Sequence, residues 1–282
     1  MSEQTKIIAP CLPQTSISYV LIIIILFLLS FLISGCVTAY NPATGRKETL
    51  FIDTENEVAL GKDMDIEIQK KLKQLKEPRA EFRLNSIASR VASFSDRQDL
   101  SYHFRVIKEG GLNAFAIPGG FIYLNSGLMD IATDDELACV LAHEIGHVAA
   151  RHSVKKLQAT MAYGFLRNIA VGLTGKESAE TVAQAVDLLV FNPATLAYSR
   201  QDELLADRLA VRYTKKAGFN PYGMISFFEK LKKEQNEKGP NLRIEILSSH
   251  PNLDERIKKV QEEIEVEPPR PKGRGFLDVP GS

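Results

Sequence analysis

The sequence predicts an α+β fold, mainly helical, with one small sheet. Three observations point there. Apolar residues recur at helical spacing behind capping signals, as where Thr133-Asp134-Asp135-Glu136 precedes Leu137, Val140 and Leu141. Between Tyr102 and Asn125 the pattern changes to short alternating runs punctuated by glycine. The 282 residues are 44% apolar and 25% charged, the balance of an ordinary globular domain. Net charge is zero, and no phosphate-cradling loop or base-stacking pattern is present, so no nucleic-acid partner is expected.

The elements follow in order. Ser18 to Ser34 is an uncharged apolar run of 17 residues, read either as an uncleaved N-terminal anchor or as the core of a signal peptide. Its end, Ile33-Ser34-Gly35-Cys36, resembles a bacterial lipobox and favours the second reading. On that reading 1–35 is a lipoprotein signal peptide, Cys36 is lipidated, and 36–50 is a tether with a turn-rich centre at Tyr40 to Arg46. Val37 in place of Asp is, by resemblance to enterobacterial lipoproteins, a mark of the outer membrane. The chain would then sit on the periplasmic face of a bacterial envelope.

The folded domain is expected over 51–266. Thr54 and Glu57 resemble a capping box, opening a helix to about residue 76 that Pro78 ends. A second helix is expected over 79–94. Strands follow at 102–107, 113–117 and 121–125, the last two flanking Pro118-Gly119-Gly120. The Thr133 capping box opens a helix to about Ser153. The stretch 154–197 is apolar and helical in pattern, broken at 172–175 and 192–193, with runs too short and too interrupted for convincing membrane spans. Helices are expected at 199–217 and 221–238, then a last one capped by Asp254. The tail 267–282 reads as disordered.

Within the Thr133 helix stands His143-Glu144-Ile145-Gly146-His147. Positions i and i+4 differ by roughly 40° around a helix, so both imidazoles point to one side. Two neutral imidazoles suit tetrahedral zinc, one Zn2+ per chain. Glu144 lies about 100° from His143, away from the ligand direction but within reach of a water at the metal. It is the expected general base. A catalytic zinc site needs a third protein ligand. His152, nine residues after His143, would lie on the far side of a continuous helix, as a surface or supporting residue. His103 reads as a core or edge histidine. Glu203 and Asp207 share a helix face, with Glu203 as ligand and Asp207 accepting a hydrogen bond from a ligand imidazole. Asp202 reads as part of a solvated face. Cys139, one turn before His143, reads as a small buried core residue.

The segments NAFAIPGG (113–120), HEIGHVAARH (143–152), SRQDELLAD (199–207) and SHPNLDER (249–256) together resemble the HtpX and CaaX-prenyl-protease family of gluzincin metallopeptidases. The nearest likeness is its periplasmic lipoprotein branch and the mitochondrial Oma type. The resemblance implies a zincin-like domain with zinc on His143, His147 and Glu203, Glu144 as base, and Asp207 in support. It implies that Asn113, Ala114, Phe115 and Ala116 form an edge strand that pairs with substrate backbone. It implies that His250 and Arg256 lie near the metal, as stabilisers of the transition state, or with His250 plugging the fourth zinc position. The implied activity is internal cleavage of protein or peptide substrates, with misfolded envelope proteins as targets. The partners implied are those substrates, the membrane through Cys36, and the outer-membrane protein assembly machinery. The alternative is a chaperone-like assembly factor with a silenced or structural zinc. An aminopeptidase or deacylase is disfavoured by the edge strand.

Overall fold

A computed structural model describes residues 37–160, 198–238 and 245–266, together with Tyr19 and Ile23. The expectations for the signal segment, Cys36, the span 161–197 and the tail 267–282 lie outside the described residues. No helix among the described residues is long and apolar enough to cross a membrane.

The stretch read as a tether is folded from Val37 onward. Strands β1 (Val37–Asn41) and β2 (Arg46–Leu50) form an antiparallel hairpin. The Asn41 side chain accepts from the Ala43 amide, the local bond that lets Asn begin a turn. Helix α1 (Thr54–Lys71) follows. Its N-cap is Asp53, whose carboxylate accepts from the Asn56 amide, and not Thr54 as the capping pattern suggested. Glu57 is thereby released from the expected box and is buried against Arg97. Pro78 does not merely stop α1. It starts α2 (Pro78–Ala92), at the position where a missing N–H costs nothing.

The sheet has the order β3-β5-β4, from β3 (His103–Ile107), β4 (Ala114–Ile117) and β5 (Phe121–Asn125). β5 is central and wholly buried, parallel to β3 and antiparallel to β4. Gly119 and Gly120 make the sharp return from β4 to β5 at φ of 80° and 87°, a region costly to residues with a Cβ. His103 is exposed at the start of β3, its ring stacked on Phe121. A buried network ties α1 to the sheet: Arg105 holds Asp65 through two bonds, and the Tyr123 hydroxyl donates to the same carboxylate.

Short helix α3 (Ser126–Ile131) leads into α4 (Asp134–Ala149), whose Thr133–Glu136 capping box is present as expected. α4 is buried along almost its whole length and packs against α2, β4, α5 (Arg200–Lys216) and α6 (Gly223–Lys238). Side chains such as Leu141 and Ile145, fully enclosed, each contribute about 1.5–3 kcal/mol of burial. Gly146 lets α5 approach closely, because a Cβ there would stand 3.1 Å from the Ala206 carbonyl oxygen. Helices α7 (Glu245–Ser249) and α8 (Leu253–Glu265) close the domain. α8 begins at Asn252, in the left-handed conformation, so Asp254 sits in the first turn and is not the cap.

α4 does not run to Ser153. It ends at Ala149, and Arg151 takes a positive φ of 57°, before helical structure resumes at 152–160. The Arg151 side chain is held by the Thr54 hydroxyl at 2.8 Å and faces Glu57 at 3.6 Å.

Candidate metal centre and its surroundings

Donor atoms of His143, His147, Glu203 and His250 lie within 4.8 Å of one another, and all four residues are buried. His143 and His147 come from one face of α4, as the spacing required. Glu203 comes from the first turn of α5, brought close by the Gly146 contact. His250 follows α7 directly. The Nε2 atoms of His143 and His147 are 3.0 Å apart, and each is about equally far from Glu203, at 3.5 and 3.4 Å. His250 Nδ1 lies 2.9 Å from Glu203 Oε1 and 3.3 Å from His143 Nε2.

This donor set fits a tetrahedral metal ion. It combines imidazole nitrogens with a carboxylate, the chemistry of catalytic zinc. Both oxygens of Glu144 are buried without a hydrogen-bond partner. Buried carboxylate oxygens left in that condition are expensive unless a cation, water or substrate group satisfies them.

Around the donors runs a layer of holding bonds. His143 Nδ1 is 2.9 Å from Asp207 Oδ1. Arg256, from α8, grips both Asp207 oxygens at 2.8 and 2.6 Å, donates to the His250 carbonyl at 3.2 Å and lies 3.0 Å from Glu203 Oε2. Its guanidinium is thus committed to carboxylates on α5 and to the chain at His250. Burial disfavours charge on Asp207 and Glu203, but Arg256 and the histidines outweigh it and hold both below the usual carboxylate range. Burial likewise works against a charged His143, yet its bonds to Asp207 and Glu203 raise it to about 9. For Glu144 burial outweighs the nearby His250, His143 and Arg256 and pushes it up.

Two residues read as peripheral belong to this layer. The break at Arg151 turns His152 back toward the site, so that its Nδ1 lies 2.9 Å from His147 Nδ1. Its Nε2 is 3.2 Å from Asp202 Oδ1. The far-side placement of His152 is therefore corrected and its supporting alternative stands, while Asp202, still partly exposed, gains His152 as a partner. Burial pushes both His147 and His152 down to about 3. Tyr198 was not singled out by the sequence at all. Its ring stacks on His147 with centroids 4.1 Å apart. Its position immediately before the Ser199 cap of α5 was the available signal.

The edge strand that the resemblance implied over Asn113 to Ala116 corresponds to β4, which begins one residue later, at Ala114. Among the described residues β4 pairs with β5 alone. Phe115, Ala116 and Ile117 line a cleft that also touches Tyr198 and His250. A second, apolar cleft lies beyond His143 and Glu144, walled by Phe227, Phe228 and Ile246. His250 borders both. Asn113 stands just before β4, its carbonyl accepting from the Asn125 amide. Cys139 is buried, its thiol pushed up to about 12 by burial.

Comparison with known proteins gives a consistent picture. The model of peptidase family M48 matches residues 78–264. Mitochondrial metalloendopeptidase OMA1 of Schizosaccharomyces pombe is 30% identical over 183 residues, covering 64% of this chain and 51% of its own. Metalloprotease LoiP of Escherichia coli is 30% identical over 183 residues, covering 64% of this chain and 69% of its own. The beta-barrel assembly-enhancing protease of the same organism is 30% identical over 183 residues, covering 62% of this chain and 37% of its own. The chain thus spans about half the length of the first of these relatives and about a third of the last.

Proposed function

Since the chain belongs to peptidase family M48, we propose that it is a membrane-anchored zinc metalloendopeptidase that cleaves misfolded or misassembled envelope proteins. The observation that carries this is one juxtaposition. The buried donors His143, His147 and Glu203 stand beside Glu144, whose oxygens have no hydrogen-bond partner, and their neighbour His250 borders the cleft that is walled by the edge strand.

His143, His147 and Glu203 would hold one Zn2+, with His250 as the neighbouring fourth donor. Bound zinc supplies Lewis acidity, which makes water nucleophilic near neutral pH and polarises a carbonyl. The rest falls to the chain's own groups. β4 pairs with an extended substrate. The contact between the Asn125 amide and the Asn113 carbonyl marks 113 and 125 as a hydrogen-bonded pair, so the groups of Ala114 and Ala116 point away from β5. These outward groups receive the substrate backbone, and no free chain end is needed for an internal cut. Glu144 takes a proton from the attacking water and delivers it to the leaving amine. Asp207 and His152 fix the tautomers of His143 and His147. Arg256 acts as a positioning residue rather than an oxyanion donor, because its donors are already taken up by Asp207, Glu203 and the His250 carbonyl.

His250 Nε2 lies 3.6 Å from Glu144 Oε1. It therefore borders the space in which a reacting carbonyl must sit. This favours a resting form in which His250 fills a donor position and must move before turnover.

For location we propose the periplasmic face of the envelope, held by lipid on Cys36 and on the outer membrane, with 1–35 as signal peptide, 267–282 as tail, and the domain beginning with hairpin β1–β2 at Val37 instead of at 51. The lipobox and Val37 support this. Contact with the outer-membrane assembly machinery is supported by the name of the Escherichia coli beta-barrel assembly-enhancing relative.

The test is cleavage of an unfolded outer-membrane protein by the purified full chain, with and without a chelator. Internal fragments from the wild type are expected. Glu144→Gln should bind the same zinc stoichiometry and lose activity by about 10²–10⁴-fold. Glu144→Gln cutting at the wild-type rate would overturn the mechanism. His250→Ala with higher basal activity supports the resting form, and complete loss assigns His250 to the reacting state. A wild type that holds the unfolded protein soluble without cutting it would point to the chaperone-like reading.

A further inference from the structure

The hairpin β1–β2 has two unlike faces. Tyr40 pairs with Lys47 and Thr38 with Thr49, so these four side chains share one side of the ribbon. All four are exposed. Tyr40 is 63% exposed and Phe51, just past β2, is 66% exposed. Arg46, at the turn, is exposed as well. The outward strand positions carry no acid. The opposite side is seated on the domain. Asn41, Ala43 and Leu50 are buried, and Glu48 pairs with Lys155 at 2.6 Å.

Aromatic rings beside lysine and arginine collect at the headgroup level of bilayers, where rings meet the interface and cations meet anionic lipid. The sequence brings such a surface within reach. The uncharged run ends at Ser34, and Cys36 immediately precedes Val37. Whether the run is kept as an anchor or replaced by lipid on Cys36, its junction lies within about 10 Å of chain from β1.

We propose that the outward face of β1–β2, with Tyr40, Lys47 and Phe51, rests on an anionic bilayer surface and sets the orientation of the peptidase domain on it. The inference rests on the anchoring proposed above. It is more than proximity, because the hairpin is bonded to the active-site helix. Lys155 joins Glu48 to the carbonyl of Ala150, the C-cap of α4. Arg151 joins Thr54 to Glu57, and Glu57 accepts from the Gly119 amide in the turn between β4 and β5. The orientation imposed on the hairpin is passed to the substrate cleft.

The chain has no tryptophan, so Tyr40→Trp, Phe51→Trp and Phe82→Trp each carry its only indole. Phe82, 76% exposed on α2, serves as reference. The full chain is reconstituted in vesicles of phosphatidylethanolamine and phosphatidylglycerol, with plain or brominated acyl chains. The indoles at 40 and 51 should shift to the blue and lose about half their emission to bromine, as rings set ~5–10 Å into the interface would. The indole at 82 should change little. Lys47→Glu with Arg46→Glu should reduce the quenching at 51. Equal, weak quenching at all three positions on vesicles that carry the protein overturns the inference. So does a blue shift without quenching, which would mean a second copy or another protein covers the face. If the wild type fails to float with the vesicles, the anchoring and this surface fall together, while if the chain floats and the indoles at 40 and 51 stay unquenched this surface alone falls.

Discussion

His152 Nδ1 stands 2.9 Å from His147 Nδ1, and the two rings meet nearly edge to face. With a metal on His147 Nε2, the Nδ1 proton has His152 as its acceptor, and the opposite N–H of His152 then points to Asp202. Such supporting bonds set both the direction and the basicity of a ligand imidazole. His152→Ala is expected to weaken zinc binding about 10–100-fold in competition with a chelator, and Asp202→Asn to weaken it less. Unchanged affinity in His152→Ala would assign His152 to packing alone.

Arg256 is 3% exposed and faces two carboxylates. Removing it leaves buried charge uncompensated, a loss of about 3–5 kcal/mol. Arg256→Met should therefore lower the urea midpoint sharply. Asp207→Asn in the Arg256→Met background should recover part of the loss, because one stranded charge is then gone. Simple additivity of the two changes would show that the pair is not coupled.

The outward groups of β4 make a narrow prediction. Ala116→Pro removes an N–H that points to the cleft and not to β5, and should leave the fold and zinc content intact. One lost bond to substrate corresponds to roughly a two- to tenfold fall in kcat/KM. Phe115→Pro, whose N–H faces β5, should instead destabilise the domain. If both variants behave alike, the register toward substrate is wrong.

Glu136 links α4 stability to pH. Burial alone would raise its pKa, but bonds from Lys230, Ser226 and the Thr133 amide outweigh this and hold it below 4.5. Its stabilising contribution is therefore present above pH 4.5 and is lost as pH falls through the depressed folded value. Urea midpoints with chelator present throughout should separate wild type from Glu136→Gln by about 1–2 kcal/mol at neutral pH. The gap should close below pH 4.5. A constant gap down to acid would rule out this origin.

Much of the site was legible because its signals are local. The HExxH spacing depends only on helical period, and the Thr133–Glu136 box lies within one turn. The Glu203–Asp207 pair follows the same period on α5. The misses share another cause. Asp53 and Thr54 are adjacent good caps, and only the packing of Glu57 on Arg97 decides between them. Helical propensity runs smoothly through Ala149 to Ser153, so the break at Arg151 is imposed by its bond to Thr54 and its place beside Glu57, residues far away in sequence. The partner of Asp202, His152, arrives only through that break. Asn252 precedes α8 in a left-handed conformation that Asn tolerates but makes no side-chain cap bond, and Asp254, an equally good capping residue by type, drew the expectation.

The site also has an order of assembly written into it. α4 supplies two histidines and α5 the glutamate, but Arg256 comes from α8, the last helix of the described chain. Until that helix docks, Asp207 and Glu203 are unneutralised acids with no reason to stay buried against His143. A nascent or truncated chain therefore carries the HExxH sequence without a working metal pocket. Completion of the donor set is thus tied to the docking of the last described helix.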